Sequence, residues 1–172
     1  MCGVSAILCP AVTDLAPIFR MTAIQAHRGP DDFGHMLKSA SGAPRFIRNS
    51  TAQPSATQGR VALGHRRLTV IDRSVKGRQP MSDGSGKFWI AFNGEIYNYI
   101  ELRRELAREG ALFRTDSDTE VALVAYQHWG AACFGRFSGM WGIAIWDDRR
   151  GCLVLSRDRF GIKPLHLSLI HI

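Results

Sequence analysis

The chain opens Met1-Cys2-Gly3, and the cysteine in second place constrains it more than any other residue. Once the initiator methionine is removed, Cys2 carries both a thiol and a free α-amino group. Thiols titrate near about 8.5 and α-amines near about 7.7–8.0, so both are partly in their reactive forms at neutral pH. One residue then holds a nucleophile and its base. Residues 4–8 read as a short buried strand directly behind it, which ties the start of the chain into a sheet. The plain alternative is a small apolar residue at the head of a first strand. The remaining motifs decide between the two.

A length of 172 residues suits one domain with its own core. The net charge of +7 first suggests nucleic acid or a membrane surface. The distribution argues against both. Basic residues fall in scattered pairs (Arg66-Arg67, Arg103-Arg104, Arg149-Arg150), with no basic run and no interleaved aromatic tract. They read as a solvated surface, or as the face towards a further domain. Cys2, Cys9, Cys133 and Cys152 have no paired spacing and no nearby histidines of metal-binding type, so no metal site is expected. No apolar run approaches the roughly 20 residues of a membrane span. The N-terminal stretch is broken by Pro10 and Asp14 and lacks the basic lead of a signal peptide. A cytoplasmic setting is expected, and it would keep Cys2 reduced.

Residues 15–26 have helical spacing, with Asp14 as N-cap and Pro17 in the first turn. Residues 27–32 form a turn by composition, and residues 39–58, rich in Ser, Ala, Pro, Gln and Thr, a mobile surface loop. Residues 60–71 alternate as a strand does, and residues 87–92 form a second strand running into Asn93-Gly94. Helices are predicted over 101–109, ending at Gly110, and over 118–129, with Glu120 near the start and Gly130 after the end. Residues 140–146 and 153–156 read as strands joined by the polar turn 147–151. Gly84-Ser85-Gly86-Lys87 is a turn and not a phosphate loop, because the GxxxxGK spacing is missing and a strand follows. Helices and hairpin-grouped strands in roughly equal measure favour an α+β architecture with antiparallel sheets.

Seven motifs stand in order: Met1-Cys2-Gly3; His27-Arg28-Gly29-Pro30-Asp31; Gly64-His65-Arg66-Arg67-Leu68-Thr69-Val70-Ile71-Asp72; Gln79-Pro80-Met81; Phe92-Asn93-Gly94-Glu95-Ile96-Tyr97-Asn98; Ser117-Asp118-Thr119-Glu120; and Arg157-Asp158-Arg159-Phe160-Gly161-Ile162-Lys163-Pro164-Leu165. The set resembles the glutaminase domain of glutamine-hydrolysing asparagine synthetases, within the class II (N-terminal nucleophile) amidotransferases. The resemblance implies a four-layer α-β-β-α sandwich of two packed antiparallel sheets. It implies hydrolysis of glutamine to glutamate and ammonia. In the full-length parent the ammonia would pass to a C-terminal synthetase domain that activates aspartate, or a related carboxylate, with ATP and Mg2+. No cofactor is expected within this stretch itself. Glutamine and the synthetase domain are the expected partners, with a second copy of the chain as a further candidate. An amidotransferase half serving another carboxylate, in secondary or polysaccharide metabolism, is the alternative.

By that resemblance Cys2 attacks the glutamine side-chain amide, and its α-amine serves as base and then as acid. The Asn93 side-chain NH2 and the Gly94 N–H would hold the oxyanion, the latter open because no Cβ blocks approach; one such donor is worth about 3–4 kcal/mol. On spacing alone, Asn93-Gly94 reads equally as a type I′ hairpin turn. Arg67, Leu68, Thr69, Val70, Ile71, Asn93, Gly94, Glu95 and Asp118 would line the glutamine site. Arg67 would grip the α-carboxylate bidentately, while its strand neighbour Arg66 points to the opposite face. Asp118 and Glu95 would take the α-ammonium, although Asp118 also suits a helix N-terminus for its own sake. His27 and His65 are given structural roles, and Arg28 and Asp31 organise the turn beside the nucleophile. Trp129, Phe134, Phe137, Trp141 and Trp146 are core or interface.

The likeness to the family stops near His166. Residues 1–166 read as the glutaminase domain. Residues 167–172 read as a foreign tail, the in-frame translation of a sequencing adapter, on a truncated chain whose synthetase domain is absent. A peptide-cleaving cysteine or N-terminal nucleophile hydrolase is the competing enzyme class. Arg67, Asp118 and Glu95 argue against it, because a peptide interior lacks the two charges they suit. An inert fragment is the third reading, for which Cys2→Ala changes no assay.

Overall fold

In a computed structural model, which describes residues 1–40, 42–48, 57–72 and 74–169, the start of the chain is built into a sheet. Strand β1 (Gly3–Asp14) follows Cys2 directly and pairs with β4 (Gln58–Arg67), Gly3 opposite Arg66. Next come β2 (Asp32–Ser39) and the edge strand β3 (Arg45–Ile47), in the order β1-β4-β2-β3. The second sheet runs β5-β6-β7-β8, from β5 (Met81–Ser82) and β6 (Phe88–Ile96) to β7 (Gly139–Asp147) and β8 (Cys152–Arg157). The pairings in both sheets are antiparallel.

The strand period of two sorts the side chains into layers. Val61 and Leu63 of β4 meet Trp89, Ala91, Ala144 and Trp146 between the sheets. On the outer face of the first sheet, Ala62 and Leu37 pack on Leu15 and on Ile18 of α1 (Pro17–Ile24). On the outer face of the second, Ile90, Phe92, Ile143 and Ile145 pack on α2 (Tyr99–Arg108) and α3 (Asp118–Trp129). The result is a four-layer α-β-β-α sandwich. Helix α2 buries Leu102 and Leu106, one turn apart, and stops before Gly110, whose φ of +93° suits glycine. Helix α3 is capped by the Ser117 hydroxyl, which accepts from Thr119 N–H at 3.1 Å. Phe137 and Trp141 lie in the helix-side core and Trp146 between the sheets, with Trp129 and Phe134 packed at the margin.

Several elements differ from the pattern for local physical reasons. No strand is predicted at β2, because Gly34 and His35 interrupt the alternation and burial of Met36 and Leu37 on opposite faces removes its polar half. The helix expected over 15–26 is shorter, continuing from α1 as a 3-10 turn over Gln25–Arg28. Its N-cap is Ala16, and Asp14 instead accepts from Ala16 N–H at 3.0 Å. The strand expected over 60–71 ends at Arg67, and Thr69 N–H is drawn to the Asp31 carboxylate at 2.7 Å. Asn93-Gly94 is not a hairpin turn. Strand β6 runs through both, Asn93 opposite Gly142 and Gly94 opposite Trp141. The region 39–58 contains β3 and the start of β4; the mobility expected of it and the tail expected at 167–172 fall partly outside the described residues. Among the described residues, no helix is long and apolar enough to cross a membrane.

Ile143 is fully buried in central strand β7. Ile143→Ala is expected to cost about 2–5 kcal/mol by urea unfolding. Leu112→Ala, at a site 89% exposed, is expected to change stability by less than about 0.5 kcal/mol.

Candidate active site

A cavity of about 270 Å3 lies where the start of β1, the end of β4, the end of β6 and the first turn of α3 converge. Cys2 is half-buried at its wall. Leu68 N–H donates to Cys2 Sγ at 3.4 Å, and the thiol faces Leu68 O at 3.6 Å. Arg28 Nε donates to the Cys2 carbonyl at 3.1 Å. Burial pushes the thiol up from its ordinary value, opposed by the Leu68 N–H, the terminal amino group and Arg67. With Met1 attached, that amino group is one residue away. On a mature Cys2 it belongs to the cysteine itself and favours the thiolate more strongly.

The register of β6 decides which backbone groups reach the cavity. In an antiparallel pair, alternate residues direct N–H and C=O at the partner and the others direct them away. Phe92 points away from β7. Its N–H donates to Gln79 Oε1 at 2.7 Å, and its C=O accepts from Nε2 of the buried His65 at 3.0 Å. Ile96 points the same way, donating to Asp118 Oδ2 at 3.1 Å. Gly94 lies midway, so its N–H faces the same open edge, beyond the last β5 partner at Ile90. It lines the cavity, and among the described residues nothing bonds its N–H. The need for glycine here differs from the sequence argument. A Cβ would lie 2.0 Å from Met140 O and 2.7 Å from Trp141 Cα, so the missing side chain makes room for β7 rather than for a ligand. Asn93 is buried beside it and also lines the cavity.

Arg67 is buried at the end of β4, and its guanidinium donates to Asp72 O and, at 2.9 Å, to Ser74 O. A Cβ on Gly77 would come within 2.5 Å of Arg67 Nη2, so the loop passes close to the guanidinium, and a side chain there would displace it. Arg66 points to the other face, over the Phe33 ring at 5.3 Å. Asp118 is buried at the start of α3. Burial pushes its carboxyl up to about 6, Glu95 adds to the rise, and the N–H groups of Ile96 and Thr119 oppose it. Glu95, Leu68, Val70 and Ile71 line the cavity, but Thr69 does not, being turned towards Asp31.

Several cavity residues stand in the motifs without an assigned role, and two of them make contacts that bear on the site. Gln79 is one; its place before Pro80 gives no hint that it reaches Phe92. Lys163 is the other, buried with its Nζ 3.2 Å from Met1 Sδ. Lys163 is placed by a turn around Asp158, whose carboxylate accepts from Trp141, Phe160, Ile162 and Lys163 N–H at 2.9–3.2 Å. These donors outweigh burial and hold Asp158 below the usual carboxylate range. His27 is exposed, with Nδ1 3.1 Å from Ile24 O. His65 is sealed between the sheets and pushed down to about 4 by burial, hence neutral. Neither bonds the Cys2 thiol among the described residues, and no group of three or more His, Cys, Asp and Glu is placed to hold a metal.

Among solved structures the fold is similar to that of glutamine phosphoribosylpyrophosphate amidotransferase from B. subtilis, with a TM-score of 0.74 and 20% identity over 94% of this chain and 38% of that one. It is the N-terminal nucleophile sandwich of the amidotransferases. Residues 47–171 match the glutamine amidotransferase domain, and the chain belongs to that family. It is 40% identical over 154 residues to asparagine synthetase (glutamine-hydrolyzing) 1 of Bacillus subtilis, covering 90% of this chain and 21% of that protein. It is 37% identical over 183 residues to a putative asparagine synthetase (glutamine-hydrolyzing) of Mycobacterium bovis, covering 98% and 25%. It is 31% identical over 181 residues to amidase chry2 of Gibberella zeae, covering 98% and 24%. The chain thus spans about a fifth to a quarter of these relatives' length.

Asp118→Asn is expected to stabilise the ligand-free protein above pH 6. The native carboxyl keeps its proton up to about 6 against an ordinary 3.8. Between these values the native state binds more protons than the unfolded state, so stability falls as pH rises through that window. The penalty above it is on the order of 3 kcal/mol, and asparagine removes it. Thermal midpoints of the two proteins should coincide near pH 3.5 and diverge by pH 7. A variant less stable at pH 7 overturns this account.

Proposed function

We propose that this chain is the glutamine-hydrolysing part of an ATP-dependent amidating enzyme, with Cys2 its nucleophile once Met1 is removed. One observation carries the reading. The half-buried thiol and the unpaired Gly94 N–H open onto the same cavity, which Arg67, Glu95 and Asp118 also line. A free amino acid with a side-chain amide matches that set. Its α-carboxylate meets the guanidinium, its α-ammonium meets the carboxylates, and its amide carbon meets Sγ.

The steps follow from chain order and geometry. The α-amine of Cys2 takes the thiol proton as Sγ attacks the amide carbon. The oxyanion accepts from the Gly94 N–H, held in place by the strand, and from the Asn93 NH2. The protonated amine returns its proton to the leaving nitrogen, and ammonia departs from a thioester. Water then cleaves the thioester to glutamate and regenerates the thiol. In the full-length enzyme the ammonia passes to a synthetase domain that uses ATP and Mg2+ to activate aspartate, giving asparagine. The names of the bacterial relatives support that acceptor. A reducing cytoplasmic setting, keeping Cys2 a free thiol, belongs to the same reading.

Intact mass before and after treatment with 6-diazo-5-oxo-norleucine tests it. The expected result is loss of Met1 and a single adduct, blocked by excess glutamine and absent in Cys2→Ala. A Met1-free chain that forms no adduct overturns the proposal. N-acetylglutamine, which lacks the ammonium, should be hydrolysed at least about tenfold more slowly than glutamine, in keeping with the loss of a charge-assisted contact.

A further inference from the structure

We propose that Gln79 is a positioning residue for this reaction, its side-chain amide coupling the strand that presents the Gly94 N–H to the helix start that presents Asp118. The inference rests on the glutaminase reading.

Strand β5 ends opposite Ile90, so nothing in the sheet meets the Phe92 N–H. A buried N–H needs a partner, and Gln79 Oε1 supplies one at 2.7 Å. The other end of the same amide, Nε2, donates to Thr119 Oγ1 at 3.1 Å. Gln79 is 6% exposed and Thr119 3%. A carboxamide is a neutral side chain that offers an acceptor and a donor on one rigid plane, and each end makes one of these bonds.

Thr119 follows Asp118 in the first turn of α3, and Asp118 Oδ2 accepts from Ile96 N–H at 3.1 Å. The contacts therefore close a ring. One arm runs from Phe92 through Gln79 to Thr119, and the other from Asp118 to Ile96. The stretch of β6 between the two anchor points has Gly94 at its middle. Both ends of the oxyanion-presenting stretch are thus held by the helix turn that takes the substrate's ammonium. Gln79 sets the separation between the ammonium site and the oxyanion site, which is the length of the substrate side chain.

Steady-state glutaminase kinetics of the full chain, with thermal midpoints measured alongside, test this. Gln79→Met removes both bonds at similar volume. Thr119→Val keeps the Gln79–Phe92 bond and cuts only the link to the helix. Because an oxyanion donor acts in the transition state, Gln79→Met is expected to lower kcat about 10- to 100-fold while KM changes less than about threefold. Thr119→Val should lower kcat in the same direction, and the double variant should be no worse than Gln79→Met alone, as one shared path requires. Variants with kcat within about twofold of wild type and a lowered midpoint would show a merely structural glutamine and overturn the proposal. So would effects that multiply independently. If Gln79→Met fails to fold, Thr119→Val decides alone by the same kcat criterion. A wild type that releases no glutamate overturns the functional reading and this inference together. An active wild type with unsplit variants overturns this inference only.

Discussion

Strand β6 outruns its neighbour, and the site depends on that mismatch. Strand β6 has nine residues and β5 only two, so one flank of β6 is left without a partner beyond Ile90. An unpaired buried N–H costs about 1–3 kcal/mol, and an open strand edge invites pairing with another chain. Here the flank is closed by side chains at Phe92 and Ile96 and left open at Gly94. The gap is one residue wide, which suits a single atom rather than another strand. Sheet architecture alone thereby yields a backbone donor aimed at a cavity.

The cysteine at the cavity wall belongs to the other sheet. Cys2 precedes β1, Gly94 sits in β6, and stacked sheets lie roughly 10 Å apart. Their relation is held by the apolar layer of Val61, Leu63, Trp89, Ala144 and Trp146 and by a buried polar bond from His65 to Phe92 O. That bond lands one residue before Asn93. Burial keeps His65 neutral, so across the physiological range no change of its charge disturbs the tie. The same packing that stabilises the fold sets the width of the cavity. The price is paid locally, in a buried Asp118 and a donor without a partner, while the apolar layers on both sides supply the stability.

Much of this was legible in the sequence, and the failures have physical causes. Helix α3 was readable to its ends from Glu120 in its first turn and Gly130 after its last, and the structure adds the Ser117 cap. The parity of Arg66 and Arg67 was readable, because neighbours on a strand face opposite ways. Strand β2 was not, because a central strand buried on both faces loses its alternation. Asn93-Gly94 was ambiguous, since local turn chemistry and a strand through a tight contact with β7 call for the same residue; only the neighbouring motifs separated them. Thr69, expected at the site from the resemblance, lies beyond the end of β4 at Arg67, with its N–H drawn to the Asp31 carboxylate. The partners of Gln79 were invisible, because a hydrogen bond across 13 residues leaves no periodic trace.

The two charged ends of the cavity are prepared differently. Arg67 is held by carbonyls of Asp72 and Ser74, which occupy two of its five donors and leave the rest oriented. Asp118 is held in a strained state instead, its carboxyl raised to about 6 by burial and by Glu95. A ligand ammonium would favour the ionised form and pull that value back down. On the proposed reading, binding of an ammonium at this end is linked to proton release as pH falls towards 6. Under the proposed assignment, acid protonates Asp118 and weakens its hold on an ammonium group. On the proposed reading, ligand recognition relieves a stress the folded chain already carries, and through Ile96 and Thr119 that relief reaches the strand that presents Gly94.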